Sequence, residues 1–163
     1  MSSAKKRRSR YNPASEDFHK EEFPFYWLAR VYGRYSLAME KLLKRIDLDI
    51  PRWRVLNILF ENDNSSISEI SEHAVAKLST ITKIVYRMKD DGLVETSQSA
   101  QDGRVTQVTL TEAGRKAFFA MHELTDELFH KSFEGLSEAQ LRKLNQVLAS
   151  IFANLPELSL IHI

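Results

Sequence analysis

The chain has 163 residues, 43% of them hydrophobic and 28% charged, and a formal net charge of only +1. That length suits one compact domain, or a small domain with an assembly element. With no cysteine, disulfides, thiolate–metal sites and a cysteine-based oxidant sensor are excluded, and no apolar run approaches the ~18–20 residues of a membrane span.

The N-terminus carries no apolar signal core, because Lys5–Arg10 is followed by polar residues. The expectation is a soluble, cytoplasmic protein. Charge is unevenly placed. Lys5, Lys6, Arg7, Arg8 and Arg10 stand in the first ten residues without an acidic partner, whereas the rest of the chain sets 18 basic residues against 22 acidic ones. A basic tail over residues 1–17, polar and aperiodic, therefore hangs on a mildly acidic body. It reads as a solvated tail, or as an arm reaching DNA phosphates.

In chain order, the first long helix is predicted from about Phe23 to Ile46. Leu28, Tyr32, Tyr35, Met39, Leu42 and Ile46 recur at spacings of three and four, and Pro24 sits where a first turn tolerates it. A second helix follows Asp47–Ile50, with Pro51 in its first turn and Trp53, Leu56, Ile58, Leu59 and Phe60 as its apolar side. Asn62-Asp63-Asn64 closes it with turn chemistry. A short helix over Ser68–Ala74 is expected to be capped by Ser68. The next, about Lys77–Asp91, stops at Gly92. Leu93–Thr96 and Val105–Leu110 read as strands joined by the polar stretch Ser97–Gly103, which ends in the turn pair Asp102-Gly103. A long helix capped by Thr111 runs to about Phe133, and Gly135 breaks it. Ser137-Glu138-Ala139-Gln140 is a capping box. It opens a last helix that should bury Leu141, Leu144, Val147, Leu148, Ile151, Phe152 and Leu155 before Pro156. The apolar tail Leu158–Ile163 is expected to pack on a partner chain.

This order, mainly α with a small β-hairpin wing, is the winged helix-turn-helix plan. It divides the chain into the tail 1–17, an N-terminal dimerisation helix in 18–50, a DNA-binding lobe in 51–110 and C-terminal dimerisation helices in 111–163. Three long apolar faces are more than one small lobe can cover, so a homodimer is expected.

The function is carried by Lys77–Lys89. Leu78, Ile81, Val85 and Met88 form one predicted buried stripe. The other side presents Lys77, Ser79, Thr80, Thr82, Lys83, Tyr86 and Arg87. Short hydroxyl side chains let a helix approach base edges, while Lys and Arg extend to phosphates and guanines. At the hairpin tip Arg104 suits the negative potential of a minor groove, and Asp102 is placed to pair with it and hold its orientation.

Asp102-Gly103-Arg104, the strand after it, and Leu110-Thr111-Glu112-Ala113-Gly114 resemble the wing signature of the multiple antibiotic resistance regulator (MarR) family: Asp-x-Arg, a strand, then Leu-Thr-x-x-Gly. Ser79-Thr80-Ile81-Thr82-Lys83 and Gly92-Leu93-Val94 resemble that family's recognition helix and its entry to the wing. The resemblance covers about residues 23–155. It implies an obligate homodimer on a pseudo-palindromic operator of double-stranded DNA, usually with repression relieved by a small ligand. It places base reading on Lys77, Ser79, Thr80, Thr82 and Lys83, a phosphate contact on Arg87, the wing arginine on Arg104 and its partner acid on Asp102. The recognition helix looks most like relatives that control aromatic-compound breakdown. One departure stands out: where the family has a glycine and a cap, this chain has Val75-Ala76-Lys77. Either that turn avoids a left-handed residue or the helix begins elsewhere.

The family often binds aromatic acids between the dimer helices and the DNA-binding lobe. There the chain offers Trp27, Arg30 and Arg34 on the first helix and Arg52, Trp53 and Arg54 on the second. Arginine suits carboxylates and aromatic rings suit an aromatic body, so the expected effector is a small aromatic anion or its coenzyme A thioester. An enzyme is not expected. His19, His73, His122, His130 and His162 have no metal-binding spacing, and there is no glycine-rich phosphate loop. No cofactor or metal is implied. The rival reading is a winged-helix protein–protein module without specific DNA binding.

Overall fold

The computed structural model describes residues 11–156, so the basic stretch through Arg10, the tail Leu158–Ile163 and His162 lie outside the described residues. A 3-10 turn, Lys20–Glu22, leads into α1 (Pro24–Leu43), with Pro24 in its first turn, and a second 3-10 turn, Lys44–Ile46, follows. Asp47 then takes a left-handed conformation (φ 55°) and ends that turn. The remaining elements are α2 (Ile50–Glu61), β1 (Ser65–Ser66), α3 (Ile67–His73), α4 (Leu78–Asp90), β2 (Val94–Gln98), β3 (Thr106–Leu110), α5 (Glu112–Ser132) and α6 (Glu138–Asn154).

Side-chain caps start α2, α3, α5 and α6, and α1 and α4 begin without one. Asp49 Oδ1 accepts the Arg52 N–H at the start of α2 (2.9 Å). At α3 the cap is Ser66, not the predicted Ser68. Glu69 lies three residues after Ser66, so the two exchange bonds: Ser66 N–H to Glu69 Oε2 (2.6 Å), and Glu69 N–H to Ser66 Oγ (3.2 Å). Those bonds hold the Glu69 carboxyl below the usual carboxylate range, the Ser66 N–H first. The cap's contribution is thus complete above the ordinary Glu pKa and is lost as pH falls through the depressed one. Ser137 and Gln140 form the expected capping box at α6.

The sheet is antiparallel, in the order β1-β3-β2. Val94 faces Leu110 and Gln98 faces Thr106 across the hairpin, while Ser65 faces Val108. Val108 and Leu110 are buried and their neighbours are not, the alternation expected of a half-buried strand. The short β1 was not predicted from sequence.

The described residues fall into two compact units that meet between Thr125 and Asp126. In the first, Met39 and Leu43 of α1, Val55, Leu56 and Leu59 of α2, Ile70 of α3, Ile81, Val85 and Met88 of α4, Val94, Val108, and Met121 of α5 make the core. The first part of α5 belongs to this unit because Gly114, Phe118, Met121 and Thr125 are all buried. The second unit holds the end of α5, the turn at Gly135 (φ 80°) and α6. An open groove of about 680 Å³ there is lined by Phe129, Phe133, Leu136 and Leu141 among others. No residue of α6 is buried, and Leu144, Val147, Phe152 and Leu155 are exposed. On α1, Phe25, Trp27, Val31, Tyr32 and Leu37 are exposed too. The apolar stripe predicted on α6 is therefore mostly uncovered within a single chain, whereas that predicted on α1 is buried or half-buried except at Tyr32, and the other exposed apolar residues of α1 lie off it.

Candidate nucleic-acid interface

α3, a short turn and α4 form the helix-turn-helix. The turn ends α3 with the paired bonds Ala76 N–H to Ser71 O (3.1 Å) and Val75 N–H to Glu72 O (3.0 Å), the arrangement that requires a left-handed residue at Val75. Val75 adopts it, with φ 50°, so the turn keeps the backbone a glycine would supply and bears the strain in a β-branched side chain. That conformation costs roughly 1–2 kcal/mol in an L-residue, and glycine's extra unfolded-state freedom returns about 0.5–1 of it. Val75→Gly is therefore expected to stabilise the protein by about 0.5–1 kcal/mol. Thermal melting should read this as a rise of roughly 1–4 °C; a fall would mean that the valine side chain packs better than its exposure suggests.

α4 begins after Lys77, which caps it with backbone only. Lys77, Ser79, Thr80, Lys83, Tyr86 and Arg87 are exposed and Thr82 is half-buried, while Ile81, Val85 and Met88 lie in the core. The predicted polar face is thus the outward one, with two amendments. Leu78, placed in the buried stripe from sequence, is 52% exposed. It stands at the first position of the helix, before the core begins. Thr82 Oγ1 donates to Leu78 O (2.8 Å), so its hydroxyl proton is committed to the helix. Lys89 Nζ donates to Thr96 Oγ1 (2.8 Å) and lies 6.0 Å from the centre of the Tyr86 ring, bracing the wing against the helix.

The hairpin tip is ordered by side chains. Asp102 Oδ1 accepts the backbone N–H of Arg104 (2.9 Å), and Val105 N–H closes the turn on Asp102 O (2.9 Å). Asp102 therefore holds the main chain at Arg104, which corrects the predicted pairing with the guanidinium: the carboxylate two residues back reaches the nearer amide first. Arg104 itself is exposed. Between its root and α4 runs a groove of about 240 Å³ that includes Leu78, Thr82, Tyr86, Arg104 and Thr106.

Behind α4 lies a charged node. Arg52 is 6% exposed. Its Nε bonds Asp49 Oδ2 (3.2 Å), one terminal nitrogen bonds Asp91 Oδ2 (2.8 Å) and the other bonds Asp47 O (2.7 Å). A guanidinium so fully engaged is not available to a ligand, so Arg52 leaves the predicted effector set. It ties the start of α2 to the end of the recognition helix instead. Arg87 lies 3.5 Å from the same Asp49 carboxylate, with its side chain 62% exposed. Arg52→Met is expected to destabilise the lobe by about 2–3 kcal/mol, the scale of hydrogen bonds to charged groups. The value stays below that of a fully buried pair, because Asp49 and Asp91 keep 38% and 41% of their side-chain surface. A melting point lowered by roughly 4–12 °C would bear this out, and an unchanged one would return Arg52 to the ligand candidates.

The other predicted effector residues separate into two places. Trp27 donates its Nε1–H to Glu21 O (2.7 Å) and Arg30 lies over the Tyr26 ring (5.4 Å), both near the start of α1. Arg34 is exposed on the same helix. Trp53 packs on Tyr35 (6.1 Å between centroids), and Arg54 donates to Tyr32 Oη (3.0 Å) and Ala74 O (3.2 Å). Tyr32 and Tyr35 thus join Trp53 and Arg54. By sequence spacing alone they belong to the apolar stripe of α1. Burial, reinforced by Tyr32, pushes the Tyr35 hydroxyl up to about 12, which keeps it a neutral donor. Among the described residues no group of three or more metal-ligating side chains comes together, and no helix is long and apolar enough to cross a membrane.

A helix-turn-helix with an outward cationic, hydroxyl-rich second helix and an arginine-tipped hairpin beside it defines a winged helix-turn-helix protein of the DNA-binding class. A MarR family profile matches residues 48–106. The chain is 64% identical over 157 residues to the HTH-type transcriptional repressor IacR of Pseudomonas putida, spanning 96% of this chain and 94% of that protein. Its fold is similar to that of a MarR family transcriptional regulator from Silicibacter pomeroyi (TM-score 0.77, 25% identity, 85% of this chain and 94% of the other). It is also similar to CouR from Rhodococcus jostii RHA1, solved with p-coumaroyl-CoA bound (TM-score 0.75, 22% identity, 82% and 94%). The chain belongs to the MarR family of winged helix-turn-helix transcriptional regulators.

Proposed function

We propose that the protein is a homodimeric, sequence-specific repressor that binds a pseudo-palindromic operator and is released by a small anionic aromatic ligand, an aromatic acid or its coenzyme A thioester. The observation that carries the DNA reading is the single outward face formed by Lys77, Ser79, Thr80, Lys83 and Arg87 with Arg104 beside it. α4 enters a major groove and Arg104 the flanking minor groove, with half-sites about 34–36 Å apart across the two-fold axis. The exposed apolar residues of α1 and α6 supply the dimer surface. Repression is supported by the likeness to IacR. The aromatic class is supported by CouR's bound thioester together with the Tyr32, Tyr35, Trp53 and Arg54 cluster. On this reading the protein works in the cytoplasm, and the basic tail adds phosphate contacts.

Ligand binding would act by favouring one spacing of the two recognition helices, to the extent that it binds the two spacings differently. Fluorescence anisotropy of the full chain on its own upstream DNA, against scrambled DNA across a salt series, tests the core of the proposal. One dimer per site with clear sequence preference is the expected result. No binding to either DNA at low salt would establish the protein-interaction module instead. With the operator in hand, aromatic acids and their thioesters should weaken DNA binding and raise the melting temperature. Arg54→Met should remove that response while leaving operator affinity intact. If none of these anions moves either quantity, the effector half of the proposal fails.

A further inference from the structure

Leu78 is an exposed apolar side chain at the leading end of α4, on the flank beside the wing groove. It opens α4 at the first helical position, and it is 52% exposed where Ile81, Val85 and Met88 of the same helix are at 2% or less. Its immediate neighbours outward are Lys77, Ser79 and Thr80, all exposed. One turn on, Thr82 donates its hydroxyl proton to Leu78 O (2.8 Å) and so has no donor left for a base. Leu78 and Thr82 line the groove that ends at Arg104. The leading end of the recognition helix therefore presents an apolar step between its cationic residues.

The N-terminal residues of a recognition helix are the ones that meet base edges. In the major groove only one base offers an apolar group there, the C5-methyl of thymine. We infer that Leu78 is a specificity-determining residue that reads a thymine methyl in each half-site. Thr82 does not compete with it for a base oxygen, because its hydroxyl proton is held by Leu78 O. Cytosine, which lacks the methyl, leaves the leucine without an apolar partner, and the N4 donor of cytosine gains nothing from it. Specificity at that position then comes from desolvating the leucine, not from a hydrogen bond.

The inference rests on the proposed DNA-binding function, and its test is arranged to fail separately. Each thymine of the operator is replaced in turn by deoxyuridine, which removes the methyl and keeps the base pair. Affinity of the full chain is read by anisotropy. At one thymine per half-site the wild-type protein should lose about fivefold to tenfold in affinity, while Leu78→Ala binds the thymine and deoxyuridine operators equally. Leu78→Met should keep most of the discrimination. The exposed position means that both variants should melt with the wild type, so lost folding cannot imitate the result. If the deoxyuridine penalty is the same in wild type and Leu78→Ala at every thymine, Leu78 does not read the methyl, although the regulator stands. If the wild type shows no sequence preference at all, both the inference and the reading beneath it fall.

Discussion

Gly114→Ala is expected to destabilise the DNA-binding lobe by about 3 kcal/mol or more, the upper range for forcing atoms into a filled site. A β-carbon on Gly114 would stand 2.1 Å from Leu93 O and 3.1 Å from Leu93 C, with Leu110 Cδ2 at 3.2 Å. The first two are backbone atoms, so no rotamer change relieves them. Nor can Leu93 withdraw easily, because its carbonyl accepts the Thr111 N–H (3.1 Å). Thr111 in turn donates its hydroxyl to Gly92 O (2.7 Å) and accepts the Gly114 N–H (3.0 Å). This small network joins the end of the recognition helix, the first wing strand and the start of α5, so the clash would pull apart the parts that aim α4 and the wing. Chemical denaturation followed by circular dichroism gives the number. Gly103→Ala is the control, since its β-carbon would meet nothing within 4 Å, and it should leave the transition where it is. A Gly114→Ala protein as stable as wild type would show that α5 is free to slide away from the wing.

The order of helices and the hairpin were legible because their signals are local. Gly92, with φ 72°, the Asp102-Gly103 turn and the Ser137–Gln140 box each act within a few residues. Structure departs from the sequence reading where two local signals compete or where distant partners decide. Ser66 and Ser68 both suit a cap, and Glu69 selects Ser66 because only that pair closes reciprocally. β1 has two residues and no pattern of its own; its pairing with β3 creates it. Arg52 looked like a ligand arginine beside tryptophan. Three acceptors contributed by Asp47, Asp49 and Asp91, the last of them 39 residues away, make it structural. The apolar face of α6 is uncovered within one chain, the face that the sequence reading gives to a homodimer. A hydrophobic period marks a face for burial without naming the chain that buries it.

Arg104→Ala is the second large change expected, and it acts on binding instead of folding. Each specific arginine contact is worth about 1–3 kcal/mol, and the proposed two-fold-symmetric dimer would lose two of them. Operator affinity should therefore fall by about 4 kcal/mol, on the order of a thousandfold. The exposed side chain supports no core packing, so melting should be unchanged. Loss should be greatest on sequences with a narrow, A·T-rich minor groove at the wing positions, where the potential that attracts arginine is strongest. Arg87→Ala should behave differently. If Arg87 meets a phosphate, affinity falls evenly for all sequences, and the slope of log affinity against log salt flattens by about one unit per contact. Its existing ion pair with Asp49 (3.5 Å) is the contact it must give up or share on binding, which caps its net effect below that of Arg104. A titration series over salt on operator and scrambled DNA separates the two. Equal, sequence-independent losses from both variants would make the wing a second phosphate clamp, and reading of the sequence would then rest on α4 alone.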